Sequence, residues 1–173
     1  MASEKKILLD ADVIIHFIKG DELLMLPKLF PKRLVIVSNV KDELCRSKHF
    51  KDIILNFINF NKIEELDFPI NDQKIYKAYA ELRAELKGDG ESSILAIARY
   101  NQQILASSNL KDIKIYCEKF QIEYITTMDI LLIAFKKGII SESECDLFIY
   151  NVKSKKSILP VNTIAEYIIL AQK

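Results

Sequence analysis

The stretch Lys6-Ile-Leu-Leu-Asp10-Ala-Asp12-Val-Ile-Ile15 decides how this chain is read. Its aliphatic residues run unbroken into Asp10, and a short continuous apolar run of this kind is the pattern of a strand covered on both faces, as in a parallel sheet. Open parallel sheets carry their ligand chemistry beyond the carboxyl ends of the strands, which is where Asp10 stands. Asp12 is an acceptable N-cap, so the same stretch predicts a short helix from Val13 to Lys19, stopped by Gly20.

Working outward, the same device recurs. Pro27 and Pro31 bracket a break before a second β-branched run, Arg33 to Val37, which ends at Ser38 with Asn39 opening a helix. Ile63 to Leu66 reads as a short third strand. A helix follows from Asp72 to Lys87, with Ile75, Tyr79, Leu82 and Leu86 on one face. Gly88 and Gly90 punctuate the chain before Glu91, and Ser92 to Tyr100 reads as a nearly all-apolar helix. Ile104 to Ala106 is a strand, Ser107 to Asn109 turns into a helix with core face Ile113, Tyr116, Cys117 and Phe120, and Glu123 to Thr126 precedes a helix from Met128 to Lys137 closed by Gly138. This alternation predicts an α/β fold of three layers, α/β/α, around a parallel sheet.

Past Gly138 the pattern is helical only. Ser141 and Glu144 form a capping box for a helix to about Val152, and Pro160 opens a last amphipathic segment. The expected organisation is therefore a main unit over residues 1–140 and a C-terminal helical extension over 141–173 packed on it. Lys153-Ser-Lys-Lys156, the one dense basic cluster, reads as a solvated connection rather than a phosphate site.

Bulk composition narrows the function classes. The 173 residues are 50% hydrophobic and 28% charged with a net charge of +1, which is globular and gives no global attraction to nucleic acid or anionic membrane. Any polyanion must be held by a local patch or by metal ions. Three scattered cysteines and two histidines argue against a zinc site or a disulfide framework. No apolar run approaches the roughly 18 residues of a membrane span, and the start reads as an acid-bearing strand rather than a signal peptide. A reducing, cytoplasmic location is the expectation.

Four segments each bring a carboxylate to one edge of such a sheet: Asp10 from a strand end, Glu43 from a helix turn, Glu91 from a helix start and Asp112 from the turn after a strand. Hard cations such as Mg²⁺ and Mn²⁺ prefer oxygen ligands and are held by a few carboxylates. Acids packed together without a cation would repel and raise each other's pKa values, so the cluster predicts a metal and reads as a metal-dependent nuclease site. Each acid also has a plainer explanation. Asp12 could simply cap its helix; Asp42 and Asp112 follow Asn39 and Asn109 at capping-box spacing; Glu91 could favour a helix dipole, unless Asp89 does so and leaves Glu91 to the site.

Taken together, ILLDADVII, VSNVKDEL, GDGESSILAIA, ILASSNLKD and EYITTMDILLIAFKKGII resemble the PIN domain, including its VapC-like toxin branch, from about Lys5 to Ile140. The resemblance implies a central sheet of four to five parallel strands and carries the family's acids onto Asp10, Glu43, Glu91 and the SSNLKD segment. There Asn109 stands where many members have aspartate, with Asp112 as the acid three residues later. Asp10, Glu91, Asp112 and Asn109 are the implied metal ligands, Glu43 a further catalytic acid, and Ser107 and Asp12 supporting residues. The implied activity is Mg²⁺- or Mn²⁺-dependent endoribonuclease chemistry by an activated water, in a homodimer whose partners are RNA and, for a toxin, a protein antitoxin. Two rivals remain on sequence: a catalytically weak scaffold binding RNA or protein, favoured by Asn109, and a haloacid-dehalogenase-type phosphatase with Asp10 as nucleophile and Asp12 as general acid.

Overall fold

The computed structural model describes residues 4–86 and 88–172; the expected helix end at Lys87 and the outermost domain ends lie outside the described residues. Five strands form one parallel sheet: β1 (Ile7–Leu9), β2 (Leu34–Val37), β3 (Glu64–Leu66), β4 (Ile104–Ala106) and β5 (Tyr124–Ile125), in the order β3-β2-β1-β4-β5. Ile7 pairs with both Leu34 and Ile104, which makes β1 the central strand. Every residue of β1 and β2 is buried, the reason both appear in the sequence as unbroken apolar runs. β3 is an edge strand whose Glu64 and Glu65 face solvent, as unpaired edges favour.

The first helix, α1 (Ala11–Lys19), starts one residue after Asp10, not after Asp12. Asp10 is its N-cap, with Oδ1 accepting the Ala11 N–H at 2.8 Å, so Asp12 falls inside the first turn and is free of the capping task expected of it. The expected break at Pro27 is instead a short helix, α2 (Met25–Leu29). Pro27 lies in its first turn, where the missing N–H has no helical acceptor. Two helices follow β2: α3 (Ser38–Cys45), which begins at Ser38 rather than Asn39, and α4 (Lys48–Asn61), which the sequence reading did not separate.

Then come α5 (Gln73–Leu86), α6 (Asp89–Asn101), α7 (Leu110–Phe120), α8 (Thr127–Lys136), α9 (Glu142–Ser154) and α10 (Ile164–Leu170). Ile75, Ala78 and Leu82 bury the face of α5, and α6 buries Ser92 through Ala98 against β1, β2 and β4. The capping box at Ser141 and Glu144 is present in both halves, and α9 packs on α1 and α8. Gly20 owes its identity to that packing: a Cβ there would lie 2.2 Å from the Phe148 ring of α9. Ile164 is buried and Ile168 packs on the core, while Ile169 is exposed.

The basic cluster is engaged within the chain. Lys153 Nζ donates to Val161 O and Asn162 Oδ1, and Lys155 Nζ donates to Lys19 O at 2.7 Å and Asp21 Oδ2 at 3.1 Å, tying the connection to the end of α1. No helix among the described residues is long and apolar enough to cross a membrane.

From β1 the chain moves outward to β2 and β3, then returns across β1 to β4 and β5. The order therefore reverses beside β1 and β4, and the crevice outside their carboxyl ends is where an open α/β sheet binds ligands. Asp10 follows β1 there, and Ser107 to Asn109 follow β4.

Candidate metal centre

A cleft of about 160 Å³ opens at that edge, lined by Asp10, Ala11, Asp12, Glu43, Gly88, Glu91 and Asn109. Asp10 is 5% exposed. Its carboxylate is held by the Ala11 N–H and by the Ser107 hydroxyl, and Ser107 is itself fully buried and accepts the Asn109 N–H at 3.3 Å. Burial, with Asp12 and then Glu43 adding repulsion against those two hydrogen bonds, pushes the Asp10 carboxyl up to about 8.

Asp12 Oδ2 accepts the Ser108 N–H at 2.8 Å, whereas its Oδ1 is buried with no hydrogen-bond partner among the described residues. Burial raises its pKa to about 6, and Glu91 adds to the rise. Glu91 stands in the first turn of α6 and is pushed up to about 7, first by burial and then by Asp10 and Asp112. Asp89, two residues earlier, turns the other way: it accepts from Tyr79 and from Asn39 Nδ2, and pairs with Arg83 at 3.6 Å. That division leaves Glu91 to the cleft.

Asp112 does not line the cleft. It is exposed and reaches Glu91 only through Asn109, whose Nδ2 donates to Asp112 Oδ2 at 2.8 Å and to Glu91 Oε1 at 3.1 Å. The capping-box spacing of Asn109 and Asp112 thus serves a different bond, between two side chains that both face the acid cluster.

Gly90, punctuation in the sequence, is a close contact between two helices. A Cβ at Gly90 would sit 2.7 Å from Glu43 Oε2 and 3.3 Å from Val40 Cα, so the missing side chain lets α6 approach α3. A second group that sequence reading missed lies behind the 107–109 turn. Thr127 N–H donates to Ser108 Oγ at 2.9 Å, Ser108 Oγ donates to Thr127 Oγ1 at 2.8 Å, and Thr127 Oγ1 lies 2.8 Å from His16 Nδ1. The hydroxyls of Ser108 and Thr127 and the His16 ring thus form one hydrogen-bonded chain behind the turn. Burial lowers the His16 pKa to about 4. The only sequence signal was the i, i+4 spacing of Asp12 and His16, which share one face of α1.

The donor set is oxygen only, it is rich in carboxylate, and it includes one buried acceptor without a partner among the described residues, so it fits a hard divalent cation. Among the described residues no three His, Cys, Asp or Glu side chains meet closely enough to enclose an ion as they stand. The cleft as it stands is open, with Glu43 on its exposed side.

The structure is thus a three-layer α/β/α fold with several acids around the switch point beside its central strand. A family model described as a PIN domain matches residues 6–173, and the chain belongs to that family. PIN domains are generally nucleases, which makes this a hydrolase of nuclease type in coarse terms. No curated protein matches the chain. The phosphatase alternative needs a lysine beside Asp10, and none of the described residues lining the cleft is a lysine.

Proposed function

We propose that this chain is a divalent-cation-dependent endoribonuclease, with residues 1–140 as its nuclease unit and 141–173 as a helical extension. The observation that carries this reading is the cleft shared by Asp10, Asp12, Glu43 and Glu91, in which burial and mutual repulsion raise the carboxyls of Asp10, Asp12 and Glu91 and so favour a counter-charge. Asp10 and Glu91 are the principal ligands, Asp12 Oδ1 a further oxygen, and Glu43 the acid on the open side. Ser107 orients the Asp10 carboxylate, and Asn109 holds Glu91 and Asp112 in mutual register. A divalent cation held by these carboxylates would supply Lewis acidity and an activated water for hydrolysis of the phosphodiester bond to 5′-phosphate and 3′-hydroxyl ends. The resemblance extends the reading to a cytoplasmic homodimer and to a toxin silenced by a protein antitoxin.

The test is incubation of the purified chain with structured and unstructured RNA in Mn²⁺, Mg²⁺ or EDTA. Cleavage that needs the cation and is abolished in Asp10→Asn and Glu91→Gln is the expected result. Cleavage that persists in EDTA, or in both variants, refutes it. A scaffold that binds without cutting is favoured by one feature, the Asn109 amide standing among the acids, and would show as RNA binding with no cleavage in either metal.

A further inference from the structure

A second concavity borders the acidic cleft and differs from it in chemistry. It has a volume of about 400 Å³, and its walls include Leu110, Met128, Ile158, Pro160, Tyr167 and Leu170. None of its lining residues is charged. Ser108 also contributes, so residues on either side of Asn109 line this groove while Asn109 itself lines the acidic cleft. The rim is apolar and open to water: Ile158 is 89% exposed and Leu170 50% exposed. A volume in this range is typical of sites that bury a small organic group.

We infer that this groove is a nucleobase subsite, taking an unstacked base of single-stranded RNA next to the phosphate held at the acidic cleft. The inference rests on the ribonuclease reading for the identity of the polymer. Ser108 and Leu110 line the groove on either side of Asn109, so the base neighbouring a phosphate held at the acids has the groove beside it when the strand runs over this turn. Uncharged walls with one aromatic ring suit the face of a base and not a phosphate. The hydroxyl of Tyr167 is already committed to Asp129 Oδ1 at 2.7 Å, which fixes the side chain and leaves apolar contact as the means of recognition. Such a subsite selects unpaired RNA over duplex, because a paired base is not free to enter it. It tolerates different bases, because every base has a π-face.

The experiment measures binding of a fluorescein-labelled single-stranded RNA by anisotropy in Ca²⁺, a hard divalent cation able to fill the acidic cleft, with RNA integrity checked in the same buffer and cleavage in Mn²⁺ followed separately. Ile158→Ser and Leu170→Ser remove exposed apolar atoms, and thermal unfolding checks that both fold. Phe60→Ser, at an 81% exposed residue outside the groove's lining, is the control. Each groove variant is expected to weaken binding roughly five- to tenfold, with a smaller loss for an RNA carrying abasic sites, as for a lost base contact. Equal affinity in wild type and variants, or equal losses on abasic and duplex RNA, overturns the subsite. So does a change confined to self-association in size-exclusion chromatography, which would assign the face to another copy of the chain. Wild type that binds no single-stranded RNA overturns it as well. Wild type that binds RNA through the groove but never cuts leaves the subsite standing and removes the nuclease reading.

Discussion

Replacing Asp10 by asparagine should stabilise the metal-free protein at alkaline pH while removing its response to metal. In the folded chain burial pushes the Asp10 carboxyl up to about 8, from an ordinary value of 3.8. Between those values the folded state binds more protons than the unfolded state, so stability falls as pH rises through the window and is fully present only below it. At 1.36 kcal/mol per pH unit, the rise from pH 5 to 8 removes at most about 4 kcal/mol. Water entry and side-chain movement on ionisation reduce this, and a loss of about 2 kcal/mol corresponds to roughly 4–8 °C in Tm for a chain of this size. Asparagine does not titrate, and its Oδ1 can still accept the Ala11 N–H. Differential scanning calorimetry in EDTA should therefore show wild type losing Tm from pH 5 to 8 and Asp10→Asn losing less, because only Asp12 and Glu91 still titrate upward of their ordinary range there, so that the variant lies above wild type at pH 8. Added Mn²⁺ should raise only the wild-type Tm. A wild-type Tm that does not fall over this range, or an asparagine variant less stable than wild type at pH 8 in EDTA, would refute the argument that these acids are destabilised without a cation.

Gly90→Ala should displace the Glu43 carboxylate and press on Val40, costing about 1–2 kcal/mol in urea unfolding and weakening Mn²⁺ binding by calorimetry; an unchanged metal affinity would separate Glu43 from the site. Asn109→Asp replaces two donated hydrogen bonds by repulsion, so it should lower the Tm in EDTA and bind Mn²⁺ several-fold more tightly, and weaker binding would contradict the reading that added negative charge here is relieved by a cation. Thr127→Val keeps the shape but strands His16 Nδ1 and the Ser108 hydroxyl, at a cost of about 1–3 kcal/mol in urea unfolding; a neutral change would mean that water replaces the lost hydroxyl.

Much of the scaffold was legible because burial on both faces leaves an unmistakable trace. β1 and β2 appear as continuous aliphatic runs, and α5 shows its inward face at helical spacing. What was misread follows a pattern too. Proline at the first turn of α2 is compatible with a helix, so Pro27 marked no break. The α3–α4 junction at Arg46 and Ser47 carries neither glycine nor proline, and α4 went unseen. Asp10 and Asp12 are both plausible caps, and only the backbone decides that Asp10 is one, extended at φ −84° and ψ 156°.

Taken by itself, the sequence determined a parallel α/β chain with acids at strand ends and helix starts, because strand burial and helix periodicity are local properties of neighbouring residues. Only the tertiary structure decided that Asp10, Asp12, Glu43 and Glu91 share a cleft, that Asp89 turns away, that Asp112 hydrogen-bonds to Asn109, and that Gly90 lets α6 approach α3 beside Glu43. Those relations join residues dozens of positions apart, and they depend on strand order and on how closely α3 and α6 approach, neither of which leaves a mark on any single stretch of chain.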